Sequence, residues 1–342
     1  MFVNIGDDAM AEREIGQLSF SDALRYRRAG VNERLSKIDA LVDWHRIEAL
    51  LAPLAPPKRG APGYPPLLLF KAVLLAQWNG LSDEAVEEML ADRWPFQCFC
   101  GLGAAGRLPD HSTLWRFREA LAKSGLGDAL FAEINRQLDG HNLILRQGTL
   151  VDATLVAAQA RKPPKPASEA TPTLAADGRP QSLLVKSEVD PDAGWTKRGG
   201  IRFFGYKAHV GVDQGSGLIR SQRFTSADVN DTIMADELIM WDEKAVYADK
   251  AFDTHDRRAR LKAAGIKDRI QHRPNKHHPL KPVQARRNLL IGKARGRVET
   301  VFGHLKRVCG FSRVRYFTKA RNAASFALSC IGYNLNKAAI AR

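Results

Sequence analysis

The sequence predicts an α/β protein in which a mixed sheet flanked by helices follows an all-α N-terminal domain. Up to residue 142 the apolar residues recur at helical spacing, as in Leu35, Ile38, Leu41 and Val42. From Leu143 they gather instead into short β-branched runs that alternate with helical stretches. Charge divides at nearly the same place. Residues 1–150 hold 17 basic and 19 acidic residues, whereas residues 151–342 hold 35 basic and 18 acidic ones. A net charge of +15 carried by one half argues for a polyanionic partner. Its spread over strands, loops and helices favours nucleic acid over an acidic membrane, which would select a basic amphipathic helix.

The 342 residues suit two domains. The sequence reading divides them into a flexible N-terminus over 1–16, a helical domain over 17–142 and a second domain over 143–342. No apolar run approaches the ~20 residues that span a bilayer, and Lys71 and Gln77 interrupt the longest, Leu67–Trp78. The opening stretch is acidic without a signal-peptide core, so a cytoplasmic protein with no membrane partner is expected. Cys98, Cys100, Cys309 and Cys330 lack zinc-site spacing and read as thiols in a reducing compartment.

In the first domain, residues 17–55 read as helical and end at Pro53, Pro56 and Pro57. A second helix is expected from Pro66 to Asn79, stopped by Gly80. Ser82 is a candidate N-cap for a third, with Asp83 and Glu84 at the favoured end of the dipole. Beyond the turn-rich GLGAAGRLPD, a helix over 112–123 turns Leu114, Phe117 and Leu121 inward and leaves Trp115, Arg116 and Arg118 outside. This arrangement matches a helix-turn-helix DNA reader and a plain helical bundle equally well.

In the second domain, LILRQGTLVDATLV reads as a strand carrying Asp152. Residues 158–200, poor in hydrophobes and rich in Pro, Gly and charge, read as a long loop insertion. FFGYKAHVGVD and LIRSQRFTSAD form a hairpin around 214–217; Asp231 caps a short helix; AVYADKAFD is a strand delivering Asp249 at its end. A basic helix from Arg257, a strand DRIQHR, a long helix holding Glu299, a strand FSRVRYF and a helix over 321–340 complete the order. Along the Glu299 helix, Leu290, Ala294, Val298, Phe302 and Leu305 form the expected buried stripe, with Arg295, Glu299 and Lys306 on the next face.

Between Arg257 and Arg342 there are 22 Lys or Arg but only two acids, Asp268 and Glu299. A carboxylate among cations at the rim of a buried stripe suits a metal ligand beside a polyanion; it also suits an Arg–Glu helix pair worth a few tenths of a kcal/mol. Asp152 and Asp249 each have an ordinary reading too, as a turn cap or an ion pair with Lys250 or Arg257. Together, two strand aspartates and a helical glutamate can form an all-oxygen site for Mg²⁺ or Mn²⁺, and two such ions serve in-line phosphoryl displacement. Asp213, Asp228 and Asp253 are rival acids that turn chemistry, capping and local pairing explain. His277 and His278 read as part of a basic loop.

Several stretches together carry a family resemblance. QLSFSDALRYRR, YPPLLLFKAVLLAQWNGLSDEAVEEMLADRWPFQCFCGL and LPDHSTLWRFREAL precede TLVDATLV, FFGYKAHVGVD, YADKAFD and RGRVETVFGHLKR. In this order they resemble the bacterial insertion-sequence DDE transposases, most of all the IS-five family, over nearly the whole chain. The resemblance implies an RNase H-like core over 143–342 with Asp152, Asp249 and Glu299 as catalytic metal ligands for Mg²⁺ or Mn²⁺, with two ions. It implies cleavage of double-stranded DNA at terminal inverted repeats and transfer of the freed 3′-hydroxyl to target DNA by a homodimer or higher oligomer. Arg295 and Lys306 match basic residues of the glutamate signature, and Lys250, Arg297 and Lys207 are taken as further DNA contacts, with Trp115, Arg116 and Arg118 in the helical domain. The signature often carries Tyr where this sequence has Gly292, and the short segment before the Glu299 helix has no room for a large insertion domain. A catalytically silent DNA-binding regulator and an RNase H-like host nuclease are the competing readings.

Overall fold

The computed structural model describes residues 32–56, 63–103, 106–160, 190–274 and 279–341. The expectations for residues 1–31, for most of the insertion and for His277 and His278 lie outside the described residues. Contacts divide the chain into two compact units, residues 1–141 with 331–342, and residues 142–330. No described helix is long and apolar enough to cross a membrane.

The first unit is helical: α1 (Glu33–Leu41), α2 (Trp44–Leu51), α3 (Pro66–Asn79), α4 (Asp83–Asp92), α5 (Trp94–Cys100), α6 (His111–Ser124) and α7 (Gly127–Gly140). The expected helix over 17–55 breaks between α1 and α2, because the Asp43 carboxylate accepts from the His45 N–H and starts a new helix. Helix α3 is buried on nearly every face and forms the centre of the bundle. Its one cation, Lys71, lies 4.2 Å over the Trp44 ring and pairs with Asp39 at 2.9 Å. Gly80 ends α3 at φ 63°, and Ser82 caps α4 through the Ala85 N–H. Two helices were not expected from the sequence. Helix α5 has Pro95 in its first turn and ends at Gly101, φ 76°, whereas α7 both begins and ends on glycine and has no side-chain cap.

The second unit holds β1 (Thr149–Ala157), β2 (Gly194–Arg198), β3 (Ile201–Asp213), β4 (Ile219–Ser226), α8 (Asp231–Leu238), β5 (Ala245–Ala248), α9 (His255–Ala263), β6 (Lys267–Ile270) and α10 (Pro282–Arg307). The final helix α11 (Lys319–Ala341) contributes its residues up to Cys330 here and the remainder to the first unit. In the sheet, β3 lies antiparallel to both β4 and β1, while β1, β5 and β6 run parallel. This gives the order β4–β3–β1–β5–β6, the RNase H-like mixed sheet. Strand β2 pairs with the first residues of β3. The end of the expected insertion is therefore a strand. The cap of α8 is Asn230, not Asp231. FSRVRYF forms only an isolated bridge from Arg313 to Ala157, because the Arg313 guanidinium turns to the carbonyls of Ala158 and Gln159.

The core of this unit packs α8, α9 and the β5 and β6 side chains around Phe252, Leu238 and Leu261. A second cluster stacks Tyr206 on Phe224, with Phe311 and Phe326 beside it. Helix α10 lies against β1, β5 and β6. Its buried residues are Ile291, Val298, Val301, Phe302 and Leu305. The expected stripe holds at Val298, Phe302 and Leu305, with Ala294 half-buried; at its start Leu290 is exposed and Ile291 is buried instead.

Candidate active-site cleft

Strands β1 and β5 are parallel, with Thr149 opposite Val246 and Leu150 opposite Tyr247. Continuing that register brings Asp152 level with Asp249. Because side chains alternate along a strand, two level positions on neighbouring parallel strands project to the same face. Asp249 ends the strand as the cap of a short 3₁₀ turn, Lys250–Phe252, its carboxylate accepting from the Ala251 N–H at 2.7 Å. Asp152 lies inside β1 rather than at its end. Both line a cleft of about 270 Å³, with Thr154, Thr196, Lys197, Arg198, Lys207 and Asp231 among its walls.

The electrostatics of this cleft centre on Asp152. Burial pushes its carboxyl above the ordinary range, and the charge of Asp249 adds to that push. Arg295, the Ala153 N–H and Arg198 act in the opposite direction. The Arg295 guanidinium pairs with the Asp152 carboxylate at 3.0 Å, and both side chains are largely covered.

Of the three expected carboxylates, the structure brings Asp152 and Asp249 into one cleft and leaves Glu299 exposed on α10. One helical turn separates Arg295 from Glu299, and at 3.6 residues per turn the glutamate lies ~40° further round the axis. With the buried stripe centred on Val298, Arg295 falls at the edge of the packed face and Glu299 beyond it. Among the described residues no three His, Cys, Asp or Glu side chains stand close enough to share a metal ion. The two aspartates fit a hard divalent cation in donor type, and the positive charge beside them is Arg295.

The expected DNA contacts divide by environment. Lys250, Arg297 and Trp115 are exposed, and Arg297 also donates to the Gln214 carbonyl at 2.6 Å. Arg116 is exposed and donates to Ser112 Oγ. Lys306 is half-buried, and its ammonium is pushed down by burial and then by Arg198. Lys207 is buried, ion-paired with Asp231 at 3.0 Å and bonded to the Val229 carbonyl. Arg118, expected on the outside, is buried and bound to Asp83 at 2.9 Å. Its guanidinium satisfies an acid at the start of α4 and does not face solvent.

Two of the rival acids, Asp213 and Asp253, have the structural partners expected of them; Asp228 does not cap α8, whose cap is Asn230. Asp213 accepts from the N–H groups of Arg146 and Ser216 and holds the turn into β4. Asp253 pairs with Arg258 at 2.8 Å. Thr196, Lys197, Arg198 and Asp231, none of them an expected site residue, also line the cleft. The basic pair before Gly199-Gly200 was the available signal.

Residues 23–120 match the family described as Transposase domain (DUF772). Residues 144–335 match the family described as Transposase DDE domain. No solved structure matches the chain. The second match covers more than half of the chain and includes β1, β5 and α10. The chain belongs to the DDE transposase family.

Proposed function

We propose that this is an insertion-sequence transposase of the IS-five type, which cuts double-stranded DNA at its element's terminal inverted repeats and joins the freed 3′-hydroxyl to target DNA. One observation carries the reading: Asp152 and Asp249 lie level on neighbouring parallel strands in a cleft bordered by Lys197, Arg198 and Arg295. Asp152 and Asp249 would hold the divalent metal, two Mg²⁺ or Mn²⁺ ions in the working complex, with Glu299 as third ligand. Bound there, the ions activate the attacking oxygen and stabilise the leaving one. The chain's own contribution is positional. Asp249 is fixed by the turn it caps, and Asp152 by the ladder to β3.

Glu299, one helical turn beyond Arg295 on α10, would complete the ligand set in the DNA complex. Arg295, released from Asp152 by the metal, would then be free for a phosphate, where Lys250, Arg297 and Lys306 also serve. The first unit binds the terminal repeats or a second protomer, and the protein works as a homodimer or higher oligomer on cytoplasmic DNA.

The test is Mg²⁺- or Mn²⁺-dependent cleavage of a duplex bearing the DNA that flanks the gene, by the wild type and by Asp249→Ala. Cleavage by the wild type alone is expected, with a joined product on a second DNA. The Arg295–Asp152 pair favours one other reading, a DNA-binding regulator that does not cut. Binding without cleavage by the wild type would establish that reading in place of the first.

A further inference from the structure

Strands β2 and β3 form a hairpin whose two central residues, Gly199 and Gly200, have φ of +56° and +84°. A two-residue turn with both φ positive is the tight connection that matches the twist of paired strands. A Cβ at either glycine would meet nothing, so the turn needs them for backbone conformation alone. Arg198 closes the turn opposite Ile201, and Lys197 pairs opposite Arg202.

The base of the hairpin is tightly fixed. Trp195 packs on Phe204 at 5.2 Å between ring centroids. A Cβ on Gly194 would lie 2.3 Å from Ser226 Oγ, and one on Gly205 would lie 2.3 Å from the Val156 carbonyl. Close approach on both strands therefore fixes the register and holds the turn in one place beside the cleft.

The charges on this hairpin contrast with those around it. Arg146, Arg220, Arg223, Arg257, Arg258 and Arg260 each meet a carboxylate. Among the described residues the side chains of Lys197 and Arg198 have no such partner, although both line the cleft that holds Asp152 and Asp249. Arg198 acts electrostatically on Lys306 of α10 and on Asp152. Lys197 and Arg198 are neighbouring cations that no carboxylate among the described residues pairs in the free protein, and they repel one another. An anion that spans them removes that repulsion.

We infer that the β2–β3 hairpin is a phosphate clamp: Lys197 and Arg198 grip backbone phosphates of the DNA strand next to the one presented to Asp152 and Asp249. This rests on the functional reading above for the identity of the strand. Arg198 supplies a forked donor for a phosphate and Lys197 a point charge. The rigid base means that little ordering is needed on binding.

The experiment compares the full-length wild type, Lys197→Ala/Arg198→Ala, Lys197→Arg/Arg198→Lys and Asp249→Asn on a fluorescent duplex of flanking DNA, over a salt series. The alanine double variant is expected to bind at least tenfold more weakly at moderate salt. Its log–log salt slope should fall by roughly two, since each phosphate contact contributes about 0.9. The charge-conserving variant is expected to restore the slope, which a merely structural role of the hairpin would not require. A slope and affinity unchanged in the alanine variant, or failure of the wild type to bind the duplex, would overturn the clamp. Asp249→Asn addresses the catalytic reading separately: it is expected to bind with the wild-type slope and not to cut. A wild type that never cuts, together with a lost slope in the alanine variant, leaves the clamp standing and removes the catalytic assignment.

Discussion

Replacing Arg295 with Gln tests whether the cation on Asp152 is an alternative to a metal ion. The two side chains are 15% and 22% exposed and 3.0 Å apart. An exposed pair of this kind contributes ~0–1 kcal/mol, and breaking a fully buried one costs about 3–5 kcal/mol. The intermediate burial places Arg295→Gln at about 2 kcal/mol of lost stability in the metal-free protein. The same attraction opposes any cation arriving at Asp152, so its removal should strengthen Mn²⁺ binding about tenfold, which corresponds to ~1.4 kcal/mol. Urea unfolding followed by circular dichroism measures the first effect, and loss of the free Mn²⁺ resonance signal on titration measures the second. Arg297→Gln is the control: its guanidinium is exposed and donates to one carbonyl, so a change within ~0.5 kcal/mol is expected. Mn²⁺ binding by Arg295→Gln no tighter than by the wild type would refute competition between the guanidinium and the metal.

Two further outcomes follow from buried groups near the cleft. Arg257 is 3% exposed, pairs with Asp236 at 2.8 Å and donates to the carbonyls of Phe252 and Thr232, so it fastens the turn after Asp249 to α8. Arg257→Met should cost about 3 kcal/mol in thermal unfolding and abolish cleavage with it; unchanged melting would refute that role. His209 is buried on β3, and burial pushes its imidazole down to about 4, with Lys207 assisting and Asp231 and Glu237 opposing. Folded His209 is therefore neutral while the unfolded chain takes up a proton near its ordinary value. Stability is lost as pH falls from about 6.5 toward about 4, by about 2 kcal/mol between pH 7 and pH 5. His209→Gln should lose correspondingly less over that interval in urea titrations, and an equal loss would show that other groups govern the pH dependence.

The order of elements and the two strand aspartates were legible because each rests on local pattern. Asp249 follows a short apolar run, and capping chemistry at a strand end is written in adjacent residues. The phase of α10 was legible at Val298, Phe302 and Leu305, but not at its start, where Leu290 and Ile291 are both apolar and packing against β1, β5 and β6 buries Ile291. Which of Arg295 and Glu299 reaches Asp152 was not legible either, because both stand beside that stripe. Arg118 shows the same limit at shorter range, since nothing local announces Asp83 as its partner. The hairpin of β2 lies in a stretch poor in hydrophobes, where strand signals are weakest, and it is held by glycines whose need appears only once β1 and β4 are beside them.

The division of α11 has a consequence for biosynthesis. Trp78 in the centre of the helical unit donates its indole N–H to the Gly332 carbonyl at 2.7 Å, and Asn135 accepts from Asn334 at 2.8 Å. Both partners follow the entire second unit in the chain. On the ribosome, where N-terminal domains ordinarily fold first, this bundle must wait with an open seam until the sheet has been translated. A fragment ending at His141 would keep that seam open permanently. The helical unit alone is thus a poor reagent for isolating its own binding activity.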